Sequence, residues 1–141
     1  MKYFITTILF LFLAAGVFAQ AEQEYNDDLI YAQVRNVRVV ESSPGTYTFS
    51  VTVRHEDQGW DHYADLWQVI DSETGEVLGE RVLAHPHDNE QPFTRSQRGI
   101  EIPEGTQSVT VRAKCTKHGY KGKQVVVDLS KPDGKDYTID S

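Results

Sequence analysis

From residue 29 onward, apolar and polar side chains alternate in short runs separated by turn residues, a pattern that predicts β-strands. The clearest run is 46–55, where Tyr47, Phe49, Val51 and Val53 are spaced by Thr48, Ser50 and Thr52. With a side-chain period of two, such a strand has one apolar and one polar face. Seven runs of this kind occur, at 29–40, 46–55, 63–71, 77–84, 93–102, 108–115 and 123–129. Ser43-Pro44-Gly45, Ser72 to Gly75 and Ile102-Pro103-Glu104-Gly105 supply turns between them. No stretch carries a helical period. Seven short strands with regular turn signals predict an all-β chain, an immunoglobulin-like antiparallel β-sandwich.

Parity then assigns the core. Tyr47, Phe49, Val51 and Val53 face inward, and His55 continues that set. Val109, Val111 and Ala113 do the same, with Cys115 next in phase, and Val125, Val127 and Leu129 follow. The run 63–71 offers two inward sets, Leu66 with Ile70 or Trp67 with Val69. A buried tryptophan on the third strand is usual in such sandwiches, so Trp67 is expected inside.

The first residues break the alternation. Lys2, an apolar run over 3–15 and the small-residue site Val17-Phe18-Ala19 predict a signal peptide over 1–19. A polar, acidic leader over 20–27 should follow, then one domain over 28–130 and a C-terminal tail over 131–141. The chain is expected to be exported, periplasmic or secreted. No later apolar run of ~18 residues predicts a membrane anchor, and no cysteine follows the cleavage site for a lipid. Cys115 is the chain's one cysteine, so no internal disulfide is expected. A net charge of −7 disfavours nucleic acid and anionic lipid and favours cations.

The histidines carry the candidate chemistry. In sandwich order, the connections after the second, fourth and sixth strands meet at one pole. His55 and His62 flank the first of these, His85 and His87 open the second, and His118 lies in the third. Neutral imidazole is the commonest protein ligand for copper and zinc, and such an ion needs three or four donors converging from separate segments. In an extended segment, residues i and i+2 point the same way about 6.7 Å apart. His85 and His87, held around Pro86, can therefore address one ion, with His55, His62 or His118 completing the set. Asp61, Asp88 and Glu90 are candidate oxygen ligands or ring-orienting acceptors.

Cys115 and His118 also make a Cys-x-x-His segment, which resembles the ligand loop of cupredoxins, with His55, His62 or His85 as the upstream ligand. The resemblance implies a copper electron carrier. That family continues to an axial methionine, whereas this chain's one methionine is Met1, so a glutamine or backbone oxygen would have to replace it. The alternative for Cys115 is a small core residue. The segments from Gly59 to Asp65, His85 to Ser96 and His118 to Tyr120 resemble a group of small uncharacterised exported bacterial β-sandwich proteins, which implies fold and compartment but no activity.

Two other functions use the same pole. Trp60, Tyr63, Phe93 and Tyr120 can stack on a sugar or peptide ligand, or the acidic domain can dock on another exported protein. An enzyme is not expected: the sequence has no H-E-x-x-H, no serine triad in a recognisable context and no phosphate-cradling glycine loop.

Overall fold

A computed structural model of the chain describes residues 25–140; the predicted signal peptide and most of the predicted leader lie outside the described residues. The strands are β1 (Gln33–Ser43), β2 (Thr46–Arg54), β3 (Ala64–Asp71), β4 (Val77–Val82), β5 (Phe93–Glu101), β6 (Ser108–Cys115), β7 (Val125–Asp128), β8 (Asp133–Gly134) and β9 (Tyr137–Asp140). They form two sheets, ordered β5-β2-β1-β9-β8 and β4-β3-β6-β7. The architecture is the expected all-β sandwich.

The alternation explains the packing. Phe49, Val51 and Val53 of β2 and Val37 and Val39 of β1 are fully buried and face Trp67 and Val69 of β3, Val109 and Val111 of β6 and Val127 of β7. Removing each such side chain from water contributes roughly 1.5–3 kcal/mol. Trp67 lies inward, as expected, and Leu66 and Ile70 sit half-buried on the other face of their sheet. Between β4 and β5 the sheets close tightly: a Cβ at Gly79 would press into the Ile100 side chain at 2.7 Å, so any larger residue there must displace Ile100.

Two expectations about the ends are corrected. The residues read as a tail add β8 and β9, with β9 running parallel to β1 from Val37↔Tyr137 to Val40↔Asp140. Only Tyr137 and Ile139 carry a period of two there, and the flanking aspartates and glycine mask it; the strand covers the free side of β1. At the other end, β1 starts at Gln33 rather than at 29, because residues 28–31 form a turn closed by the Tyr31 N–H on the Asp28 carbonyl at 3.0 Å.

The connections 55–63, 83–92 and 116–124 meet at one pole, as the topology requires. The Gly59 N–H donates to Asp88 Oδ1 at 3.1 Å, the His87 N–H to Asp57 Oδ2 at 2.7 Å and the Thr116 N–H to the Tyr63 carbonyl at 3.0 Å. At the other pole the Ile102 N–H donates to the Gly45 carbonyl at 3.0 Å.

Candidate metal centre

His55 follows the last residue of β2 and keeps its inward phase, so its ring enters the top of the core, 1% exposed. Its Nδ1–H donates to Asp57 Oδ1 at 2.6 Å. Asp57 has a fully buried side chain and is the hub of the pole. Besides His55, it accepts the Ala64 N–H at 3.0 Å on Oδ1 and the His87 N–H at 2.7 Å on Oδ2. Burial opposes charge on this carboxyl, but the hydrogen bonds from His55, Ala64 and His87 outweigh it and hold its pKa below the usual value.

His62 reaches the same point from the far end of the same loop. Its Nδ1–H donates to Gln58 Oε1 at 3.1 Å, and burial, with His55 and His118 nearby, lowers its pKa, so the neutral ring is favoured. A neutral imidazole whose Nδ1 donates has a lone pair at Nε2. The two Nε2 atoms, so oriented, stand 3.2 Å apart. The Ile30 carbonyl oxygen lies 3.0 Å from His55 Nε2, and Cys115 Sγ lies 3.6 Å from that oxygen. Donors sharing one tetrahedral zinc at 2.0–2.3 Å are roughly 3.3–3.8 Å apart. The ligand atoms of His55, His62 and Cys115 all lie within 4.8 Å of one another, so the widest gap needs to close by about 1 Å. Cys115 is buried at the end of β6, as parity requires, and its Sγ accepts the His118 N–H at 3.3 Å.

His85 and His87 form a second group with different chemistry. Their rings lie 4.5 Å apart, but His87 is buried and stacked on Phe93 at 3.9 Å, and Arg95 Nη2 donates to its Nε2 at 3.0 Å. That hydrogen bond occupies the Nε2 lone pair and assigns the proton to Nδ1, which has no hydrogen-bond partner and faces Asp57 Oδ2 at 3.9 Å. Burial first, then the Arg95 and His85 charges, lowers the His87 pKa despite Asp57 and Glu90. His85 is exposed, and its Nδ1–H donates to the Pro86 carbonyl at 2.9 Å.

The structure thus brings His55, His62 and Cys115 together and leaves His85 and His87 outside that group. His118 sits at its margin, its ring 5.1 Å from that of His62 and 5.2 Å from that of Tyr31. Of the candidate oxygen ligands, Asp88 accepts the Gly59 N–H, Glu90 lies 3.5 Å from Arg95 and Asp61 is exposed. The aromatic candidates form no common platform: Trp60 is 68% exposed and edge-on to Tyr63, Phe93 lies under His87, and Tyr120 stacks under Arg112 at 4.1 Å. Sequence reasoning missed Asp57, Gln58, Gln91 and Ile30. Gln91 accepts the His55 N–H at 3.0 Å and donates to the His87 carbonyl at 3.1 Å. A carboxylate two residues beyond an inward-facing histidine was the one available signal.

No protein-family model matches the chain, and no solved structure matches it. A protein of Halomicrobium mukohataei described as "Putative lipoprotein" is 46% identical over 101 residues, covering 72% of this chain and 49% of its own length. The chain spans about half the length of this curated relative. Among the described residues, no helix is long and apolar enough to cross a membrane.

Proposed function

We propose that this is an exported metal-binding protein whose ion, copper or zinc, is held by His55, His62 and Cys115. One observation carries the reading: two buried imidazoles, each with Nδ1 held against an oxygen, bring their Nε2 atoms to 3.2 Å from one another beside a thiol and a carbonyl oxygen. With the ring protons on Nδ1, three acceptors share an enclosed space with one weak donor, which leaves lone pairs unmatched. A cation matches them.

The Asp57–His55 pair supports the same reading, since a carboxylate on the far nitrogen fixes the tautomer and raises the basicity of a ligating histidine. Nitrogen and thiolate donors select zinc or copper over magnesium or calcium. The acidic chain and the lipoprotein description of its relative agree with a role outside the cytoplasm, in the periplasm or beyond the cell. The reading is of a binding or carrier protein rather than an enzyme. Titration calorimetry with Zn(II) at pH 7.5 tests it: one equivalent should bind, and Cys115→Ser or His62→Ala should abolish tight binding. The double variant His85→Ala/His87→Ala should retain it. Binding that survives Cys115→Ser but fails in the double variant would move the ion to His85 and His87.

A further inference from the structure

The segment preceding β1 is not an idle leader. From Asn26 to Tyr31 it lies across the histidine pole, and one side chain holds it there. Gln33, the first residue of β1, is 1% exposed. Its amide nitrogen donates to the main-chain carbonyls of Asn26 at 2.7 Å, Asp28 at 3.1 Å and Tyr31 at 3.2 Å. Its amide oxygen accepts the Lys123 N–H at 2.9 Å, and the Val34 N–H donates to the Lys123 carbonyl at 2.9 Å. The 116–124 connection approaches so closely that a Cβ at Gly122 would collide with the Ala32 carbonyl oxygen. On the other side, the Glu56 N–H donates to the Leu29 carbonyl at 2.8 Å. The backbone on both sides of Ile30 is therefore fixed, and the Ile30 carbonyl is aimed between His55 Nε2 and Cys115 Sγ.

Resting on the metal reading above, we infer that the Ile30 main-chain carbonyl is the fourth donor of the centre and that Gln33 is the positioning residue that delivers it. Two nitrogens, a thiolate and a fixed carbonyl oxygen complete a four-coordinate shell with no place for solvent. A shell closed by protein ligands holds an ion; one with an open position admits water or substrate. The centre is of the holding kind, and an exogenous anion has no position to take. Release of the ion requires the 26–31 segment to lift. Gln33 acts at one remove from the metal, so its loss should open the fourth position while leaving His55, His62 and Cys115 in place.

Two measurements on the full chain test this. In protein labelled with carbonyl-13C isoleucine, one equivalent of Zn(II) should move the Ile30 carbonyl resonance and leave those of the chain's other isoleucines in place. Ile30→Val identifies the resonance by its loss and, because it keeps the carbonyl, should bind Zn(II) as the wild type does. In the Co(II)-loaded wild type, azide should leave the ligand-field bands unchanged. In Gln33→Met, which keeps the length of the side chain but none of its hydrogen bonds, azide should shift them, and the ion should leave to a chelator at least tenfold faster. An unmoved Ile30 resonance, or azide binding in the wild type, overturns the fourth-donor assignment while leaving the three-residue centre intact. Absence of Zn(II) and Co(II) binding overturns both. Should Gln33→Met fail to fold, the resonance and the wild-type azide titration still decide.

Discussion

Two groups of histidines share one pole of this sandwich and differ in what their second ring nitrogen faces. In His55 and His62 the Nδ1–H is spent on Asp57 and Gln58, and Nε2 turns inward, toward Cys115 and the Ile30 carbonyl. In His87 the order is reversed: Nε2 accepts from Arg95 and the ring lies flat on Phe93, while His85 folds its Nδ1–H onto Pro86 and stays in water. Proximity alone therefore does not make a ligand of a histidine. The hydrogen bond on the opposite nitrogen decides whether the ring offers a lone pair or acts as a strut. Asp57 joins the groups, with one oxygen on the His55 ring and the other on the His87 backbone.

The strongest way to break the comparison is to remove that joint. Asp57→Ala strands the His55 Nδ1–H, the Ala64 N–H and the His87 N–H in the interior and should cost roughly 3–5 kcal/mol in a urea unfolding curve. Asp57→Asn keeps an acceptor and should cost less, while weakening Zn(II) binding about 10–100-fold through loss of ring orientation. An Asp57→Ala variant as stable as the wild type would show that the two groups stand independently.

Removing a ring from each group comes next. His55→Ala should lower Zn(II) affinity on the order of a hundredfold or more, and His85→Ala should leave it within about twofold. Equal losses would mean that the pole works as one site. Below these in size lies Arg95→Met, which frees His87 Nε2 and should cost about 1 kcal/mol, with the affinity of the buried centre unchanged.

The smallest effect expected is that of pH. His62 and His87 both have pKa values lowered from 6.5, so the unfolded chain takes up their protons more readily than the folded one. Their contribution to stability is fully present above about 6.5 and is lost as pH falls below it. Melting of the metal-free protein followed from pH 7.5 to 5 should show this decline, and Arg95→Met, which removes a cation beside His87, should make it shallower. Of these two rings His62 is the proposed ligand, and there protons compete with the metal, so Zn(II) affinity should also weaken as pH falls below about 6.5.

The strands were legible because half-buried sheets impose a period of two, and the same parity placed His55 and Cys115 inward at the pole. Trp67 needed a further argument, since Leu66 and Ile70 carry an equally apolar phase on the opposite face. β9 escaped because two alternating apolar residues among aspartates make no pattern. In the candidate site, the fourth donor was hidden for a deeper reason: a main-chain carbonyl such as that of Ile30 leaves no mark on residue identity. Arg95 shares the inward parity of Phe93 on β5, opposite Val51, but parity gives no hint that its guanidinium reaches His87. The spacing of His85 and His87 correctly implied neighbouring rings, but spacing says nothing about which nitrogen is already engaged.

The central claim is that His55, His62 and Cys115 form one centre with a thiolate ligand. Adding Co(II) anaerobically to the metal-free chain at pH 7.5 tests it most directly, read as sulfur-to-cobalt charge-transfer absorption in the near ultraviolet. The band should rise to one equivalent and stop, vanish in Cys115→Ser and persist in His85→Ala. A titration with no such band, or one that Cys115→Ser leaves unchanged, would contradict the account.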